Sequence, residues 1–117
     1  MERPLSDWER AIVARLASAD GPNAALVRES LPHLVVTGSC GCGCPSFNLR
    51  DQRFPQQPHQ LGQYSNGWTE DKSFGFAFYV GPDDRPISVD VFDNRREGSP
   101  PDWPAPDALL VNPADGR

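Results

Sequence analysis

The chain has 117 residues, 38% of them apolar, with 13 prolines and a formal net charge of −5. That length suits one domain, 1–117, whose core needs no disulfide framework, and the proline content implies long extended connections around a modest core. No basic stripe is available to meet phosphates, which argues against nucleic acid, and the longest apolar run, Phe74 to Val80, is too short to cross a bilayer.

The start, Met1-Glu2-Arg3-Pro4, lacks the basic and apolar stretches of a signal peptide, so the cytoplasm is the expected compartment. Two helices are predicted over about 6–31. Ser6-Asp7-Trp8-Glu9 has the S-x-x-E form of a capping box. Behind it Leu5, Trp8, Ile12, Leu16 and Ala19 recur at spacings of three and four, which places them on one helix face, with Trp8 as a core anchor. Gly21-Pro22 stops that helix. A shorter one runs from about Asn23 to Leu31, offering Leu26, Val27 and Leu31, and Pro32 ends it.

From His33 the period changes, and an antiparallel sheet of about four strands is predicted over about 34–92. Leu34 to Thr37 is short and β-branched; Phe47 and Leu49 alternate with polar residues in Ser46 to Arg50. Between these two strands lies Cys40-Gly41-Cys42-Gly43-Cys44-Pro45, which holds all three cysteines and falls at the tip of the hairpin they would form. Residues 51–73 read as a long glutamine-rich loop, fastened by Phe54, Leu61, Tyr64 and Trp68; Asn66-Gly67 is a turn signal that could hide an extra strand at Gln60 to Ser65. The clearest strands follow. Phe74, Phe76, Phe78 and Val80 share one face, as do Ile87, Val89 and Val91, with Gly81 to Pro86 as the turn between them. Phe92 falls on the outer face, which implies a cover on that side. Residues 95–117 read as an extended Pro-rich tail packed through Trp103, Leu109, Leu110 and Val111.

Three readings of the cysteine run stand. One is a tight glycine turn lined by small apolar thiols, since free cysteine is readily buried and glycine accepts positive φ. Another is a zinc cradle of Cys40, Cys42 and Cys44, with His33, His59 or an aspartate as fourth ligand. It requires the glycines to bend the backbone, because residues two apart in a flat strand lie nearly 7 Å apart. The third is a redox loop, for which no lysine or histidine adjoins the thiols to lower their pKa. No phosphate loop, dinucleotide fingerprint or nucleophile elbow is present, so an enzyme is the weaker expectation. Pro101-Asp102-Trp103-Pro104 also fits the loose P-x-x-P pattern.

Cys40, Cys42, Gly43, Cys44, Pro45 and Ser46, followed by Ile87, Val89 and Val91 and then Pro100, Pro101 and Pro104, resemble a loose group of small uncharacterised bacterial proteins, many actinobacterial. These share a Cys-x-Cys-Gly-Cys-Pro-Ser element, a helical start and a Pro-rich end. The resemblance implies a fold and brings no activity or ligand with it.

Together these features predict an α+β domain of two N-terminal helices packed on the sheet. Between Pro82 and Asp107 seven acids stand against three arginines, and the expected role is a non-enzymatic protein-binding domain, immunity-like or regulatory, with Asp90, Asp93 and Glu97 as partner contacts. The alternative is a small zinc-binding protein using Cys40, Cys42 and Cys44.

Overall fold

Ser6 and Glu9 close the capping box that their spacing predicts. The Ser6 Oγ accepts the Glu9 N–H at 3.1 Å, and the Glu9 carboxylate accepts the Ser6 N–H at 2.8 Å. The helix so started, α1, spans Asp7–Ala17, and α2 spans Ala24–Ser30. The computed structural model describes residues 2–21, 23–39, 46–55, 62–94 and 104–113. Against the helices lies a seven-stranded antiparallel sheet: β1 (Arg3–Pro4), β2 (Leu34–Ser39), β3 (Phe47–Asp51), β4 (Gly62–Trp68), β5 (Phe74–Val80), β6 (Pro86–Asp93) and β7 (Leu110–Pro113). Their spatial order is β1-β2-β3-β6-β5-β4-β7. The meander β4-β5-β6 thus returns its last strand to lie beside β3, a Greek-key arrangement.

The expected α+β fold is present, but about four strands was too few. The three extra strands are β1, β4 and β7. Two of them are short and contain proline, and β4 reads Gly-Gln-Tyr-Ser-Asn-Gly-Trp, so none shows apolar alternation. Pairing with neighbours makes them strands: β4 is bonded to β5 on one side and β7 on the other. Asn66-Gly67 is accordingly no turn but mid-strand. Glycine allows close packing there: a Cβ on Gly67 would meet Leu16 at 3.2 Å and Leu109 at 3.4 Å, tighter than most such contacts.

One face of the sheet is buried under α1 and α2. Phe76, Phe78, Val89 and Leu49 meet Ile12, Val13, Leu16 and Val27 there, each less than 2% exposed. At about 1.5–3 kcal/mol for each fully buried side chain, this layer carries the main hydrophobic stabilisation. A bulge between Gln63 and Ser65 turns two consecutive residues of β4, Tyr64 and Ser65, into this layer. Both serve the C-terminus of α1. Ser65 Oγ donates to the Leu16 carbonyl at 2.7 Å and Tyr64 Oη to that of Ala19 at 2.7 Å, while Arg28 Nε donates to that of Ala17 at 3.0 Å. The unpaired last carbonyls of the helix are thus satisfied within the fold.

The C-terminal segment is fastened rather than loosely laid. Trp8 Nε1 donates to the Pro104 carbonyl at 3.0 Å, Arg15 Nη2 to that of Leu109 at 2.8 Å, and Leu109 is fully buried. Trp8, partly buried with its ring 6.1 Å from that of Phe76, anchors this side of the core. Trp103 lies outside the described residues.

Candidate functional site: the open face of the sheet

No described element packs on the sheet face opposite the helices. Strand alternation sets its composition, and register sets its geometry. Leu110 of β7 faces Trp68 of β4, Trp68 faces Gly75 of β5, and Gly75 faces Phe92 of β6, giving one cross-strand row. Gly75 leaves room that the indole fills: a Cβ there would collide with the Trp68 ring. The Trp68 and Phe92 rings therefore lie in nearly parallel planes, 13° apart, with centroids separated by 6.5 Å. Phe92 is 41% and Leu110 55% exposed, so the two ends of the row present apolar atoms to solvent, with Trp68 between them partly buried. The cover that Phe92 implied is, among the described residues, the flank of Trp68. Leu110 faces away from the core because Leu109 and Val111 take the inward positions.

The adjoining row is Asn112, Asn66, Ala77 and Asp90. Tyr79 follows on β5, and burial together with the nearby Asp90 carboxylate pushes its phenol pKa up. Asp93 is exposed at the end of β6 opposite Phe74. Beyond Leu110 a groove of about 870 Å³ is lined in part by Glu70, Asp71, Asp107 and Phe74. Asp71 is held by Ser73, through its N–H and hydroxyl, and by Thr69, and these bonds keep its carboxyl below its ordinary range. Lys72, in the same turn, has φ 65° and carries its ammonium to 5.7 Å from the Trp68 ring centroid.

Of the zinc ligands expected from the sequence, His33 alone is among the described residues. Cys40, Cys42, Cys44 and His59 lie outside those residues, as does Glu97 of the acidic set. His33 closes a 3₁₀ turn, Leu31–His33, just before β2, whereas Ser39, which precedes Cys40, ends that strand. Six residues of strand put the two ends roughly 20 Å apart. Among the described residues no group of three or more His, Cys, Asp or Glu side chains could hold a metal ion.

Sequence reasoning missed the strongest polar cluster, at Asp51. This carboxylate is 3% exposed and takes Arg53 on both oxygens, with Arg85 at 3.3 Å. Arg85 also donates to the buried Ser30 hydroxyl at 3.1 Å and stacks over Phe54, 3.8 Å from its centroid. Every group in it is engaged by another side chain of the chain, so it works as a fastening between β3, α2 and the β5–β6 turn.

No protein-family model, curated protein or solved structure matches the chain. The geometry itself defines the class, an α+β sandwich of one helical layer and one antiparallel sheet with an aromatic outer face. None of its helices is long and apolar enough to cross a membrane, among the described residues.

Gly75→Ala separates the platform from the fold. The new methyl must displace the Trp68 ring, which is the far end of a partly buried side chain, so the expected stability change is about 1 kcal/mol or less. The Trp68 indole N–H resonance should nevertheless move. A loss as large as that of a core truncation would show instead that Trp68 is a structural support.

Proposed function

We propose that the protein is a non-enzymatic cytosolic binding module, of the regulatory or immunity-like kind, that engages another protein through the sheet face opposite the helices. The observation supporting this is the row Leu110–Trp68–Gly75–Phe92: apolar side chains held side by side on the sheet, with Leu110 and Phe92 left in solvent. Contiguous exposed apolar surface marks interaction sites, and aromatic residues dominate the energetics of protein interfaces. Asparagine, tyrosine and aspartate around the row supply a polar rim. The net charge of −5 disfavours nucleic acid as the partner.

The test is capture from the protein's own host with wild type and with Phe92→Ser/Leu110→Ser. Both positions are exposed, so the thermal midpoint should hold while recovery of the captured partner falls about tenfold. Neutralising Asp90, Asp93 and Glu97 should lower capture mainly at low salt, as expected of rim charges. Unchanged recovery by the Phe92→Ser/Leu110→Ser variant would sink the reading.

A further inference from the structure

We propose that the Trp68–Phe92 platform receives an arginine side chain of the partner protein, with Asp90 as the carboxylate that meets its guanidinium. This inference rests on the docking face proposed above and adds the chemistry that the face selects. Three features of the structure carry it.

The first is the shape of the platform. Two rings in nearly parallel planes, with centroids 6.5 Å apart and the indole lying against Gly75, gather planar aromatic surface at one place on this face. A planar guanidinium stacks on such a surface better than a compact ammonium does, and it is less strongly hydrated. The second is an internal stand-in. The chain's own Lys72 already places its ammonium 5.7 Å from the Trp68 ring centroid, which shows that the ring accommodates a cation. The third is charge complementarity. Asp90 lies on the same sheet face two residues before Phe92, opposite Ala77, and is partly exposed. Glu70, Asp71 and Asp107 line the groove beside Leu110, so an approaching basic segment meets acids on both flanks. Arginine is the residue that uses both halves, its face on the rings and its edge on the carboxylate. Leu110 at the other end of the row then fits an apolar neighbour of that arginine in an extended segment.

The experiment uses the intact protein and three short capped peptides, Gly-Leu-Xaa-Leu-Gly, in which Xaa is arginine, lysine or citrulline, the last being a neutral isostere. Amide and indole N–H resonances are followed during titration. The expected result is that the arginine peptide shifts the Trp68 indole and the amides around Phe92 and Asp90, and that citrulline weakens binding about tenfold. Lysine should fall between them. Asp90→Asn should remove the advantage of arginine over citrulline, and Lys72→Gln should strengthen arginine binding by vacating the ring. Equal binding of arginine and citrulline peptides at the face overturns the arginine assignment and leaves the docking face standing. Shifts confined to other surfaces, or none, overturn it as well, and the docking face is then judged by the capture experiment alone. An Asp90→Asn variant that keeps the full arginine preference also overturns it.

Discussion

Asp51→Asn is expected to cost roughly 3 kcal/mol, at the lower end of what breaking a buried ion pair costs, because Arg53 is partly exposed and can find water. The substitution keeps volume but turns an acceptor into an amide that presents N–H groups to guanidiniums. Arg85 loses its buried partner: its side chain is 14% exposed, held by Ser30 and the Phe54 ring, and keeps only the more exposed Asp83 carboxylate at 3.4 Å. Chemical denaturation at neutral pH measures the loss, and a change under about 0.5 kcal/mol, the range of an ordinary surface substitution, would refute the fastening role.

The same carboxylate sets a pH dependence. Burial alone would raise its pKa, but the hydrogen bonds from the Arg53 side chain and backbone, and from Ser30, outweigh burial and hold it well below the usual carboxylate range. A folded-state pKa below the unfolded one gives stabilisation that is complete above about pH 4 and is lost as pH falls through the folded value. Wild type should therefore lose stability steeply on acidification below about pH 4, and Asp51→Asn should show a shallower slope in that window. Glu9, lowered chiefly by its hydrogen bonds from Arg3, contributes with the same sign and leaves the variant some residual slope.

Phe78→Ala is expected to be the most damaging single truncation, at about 3–5 kcal/mol. Phe78 is fully buried, faces Val89 on β6 and Ser65 on β4, and meets Tyr64 edge-on with centroids 5.9 Å apart. Its neighbours cannot close the gap easily. Tyr64 is tied by its hydroxyl to Ala19 and Gly21, and Ser65 to Leu16. The cavity therefore stays open, and the anchorage of the α1 C-terminus loosens with it. Equilibrium unfolding would show this as a lower midpoint, with hydrogen exchange accelerating first at residues 16–21. A cost near 1 kcal/mol would mean that the layer between α1 and the sheet collapses freely.

The elements legible in the sequence were those whose local chemistry already specified them. Ser6 and Glu9 marked the start of α1 because a capping box is a contract between residues three apart. The β5–β6 hairpin was legible because phenylalanine and valine alternate without interruption. β4 was not. Its residues carry little preference for a strand, and Asn66-Gly67 argues for a turn; the strand exists because β5 and β7 satisfy its backbone, with Gly67 packed closely beneath Leu16. The outer face was legible only at Phe92. Trp68 read as a fastener of a loop, and its place beside Phe92 depends on a register that sequence periodicity does not fix. Asp51 gave no signal, since its partners Ser30 and Arg85 lie 21 and 34 residues away. The three cysteines are the most recognisable chemistry in the sequence, whereas the outer face is assembled from residues scattered along it, Trp68, Phe92 and Leu110.

The fastening of Trp8 and Arg15 to the C-terminal segment has a consequence for biosynthesis. These contacts span 96 and 94 residues of chain. The side of α1 that they cover cannot be completed on the ribosome until Pro104 and Leu109 have left the exit tunnel. Until then the nascent chain holds a helix with an unburied apolar stripe and a β4 that lacks one neighbour. Completion of this layer is thus deferred until that segment has emerged, and the dominance of distant contacts places folding on the slow side.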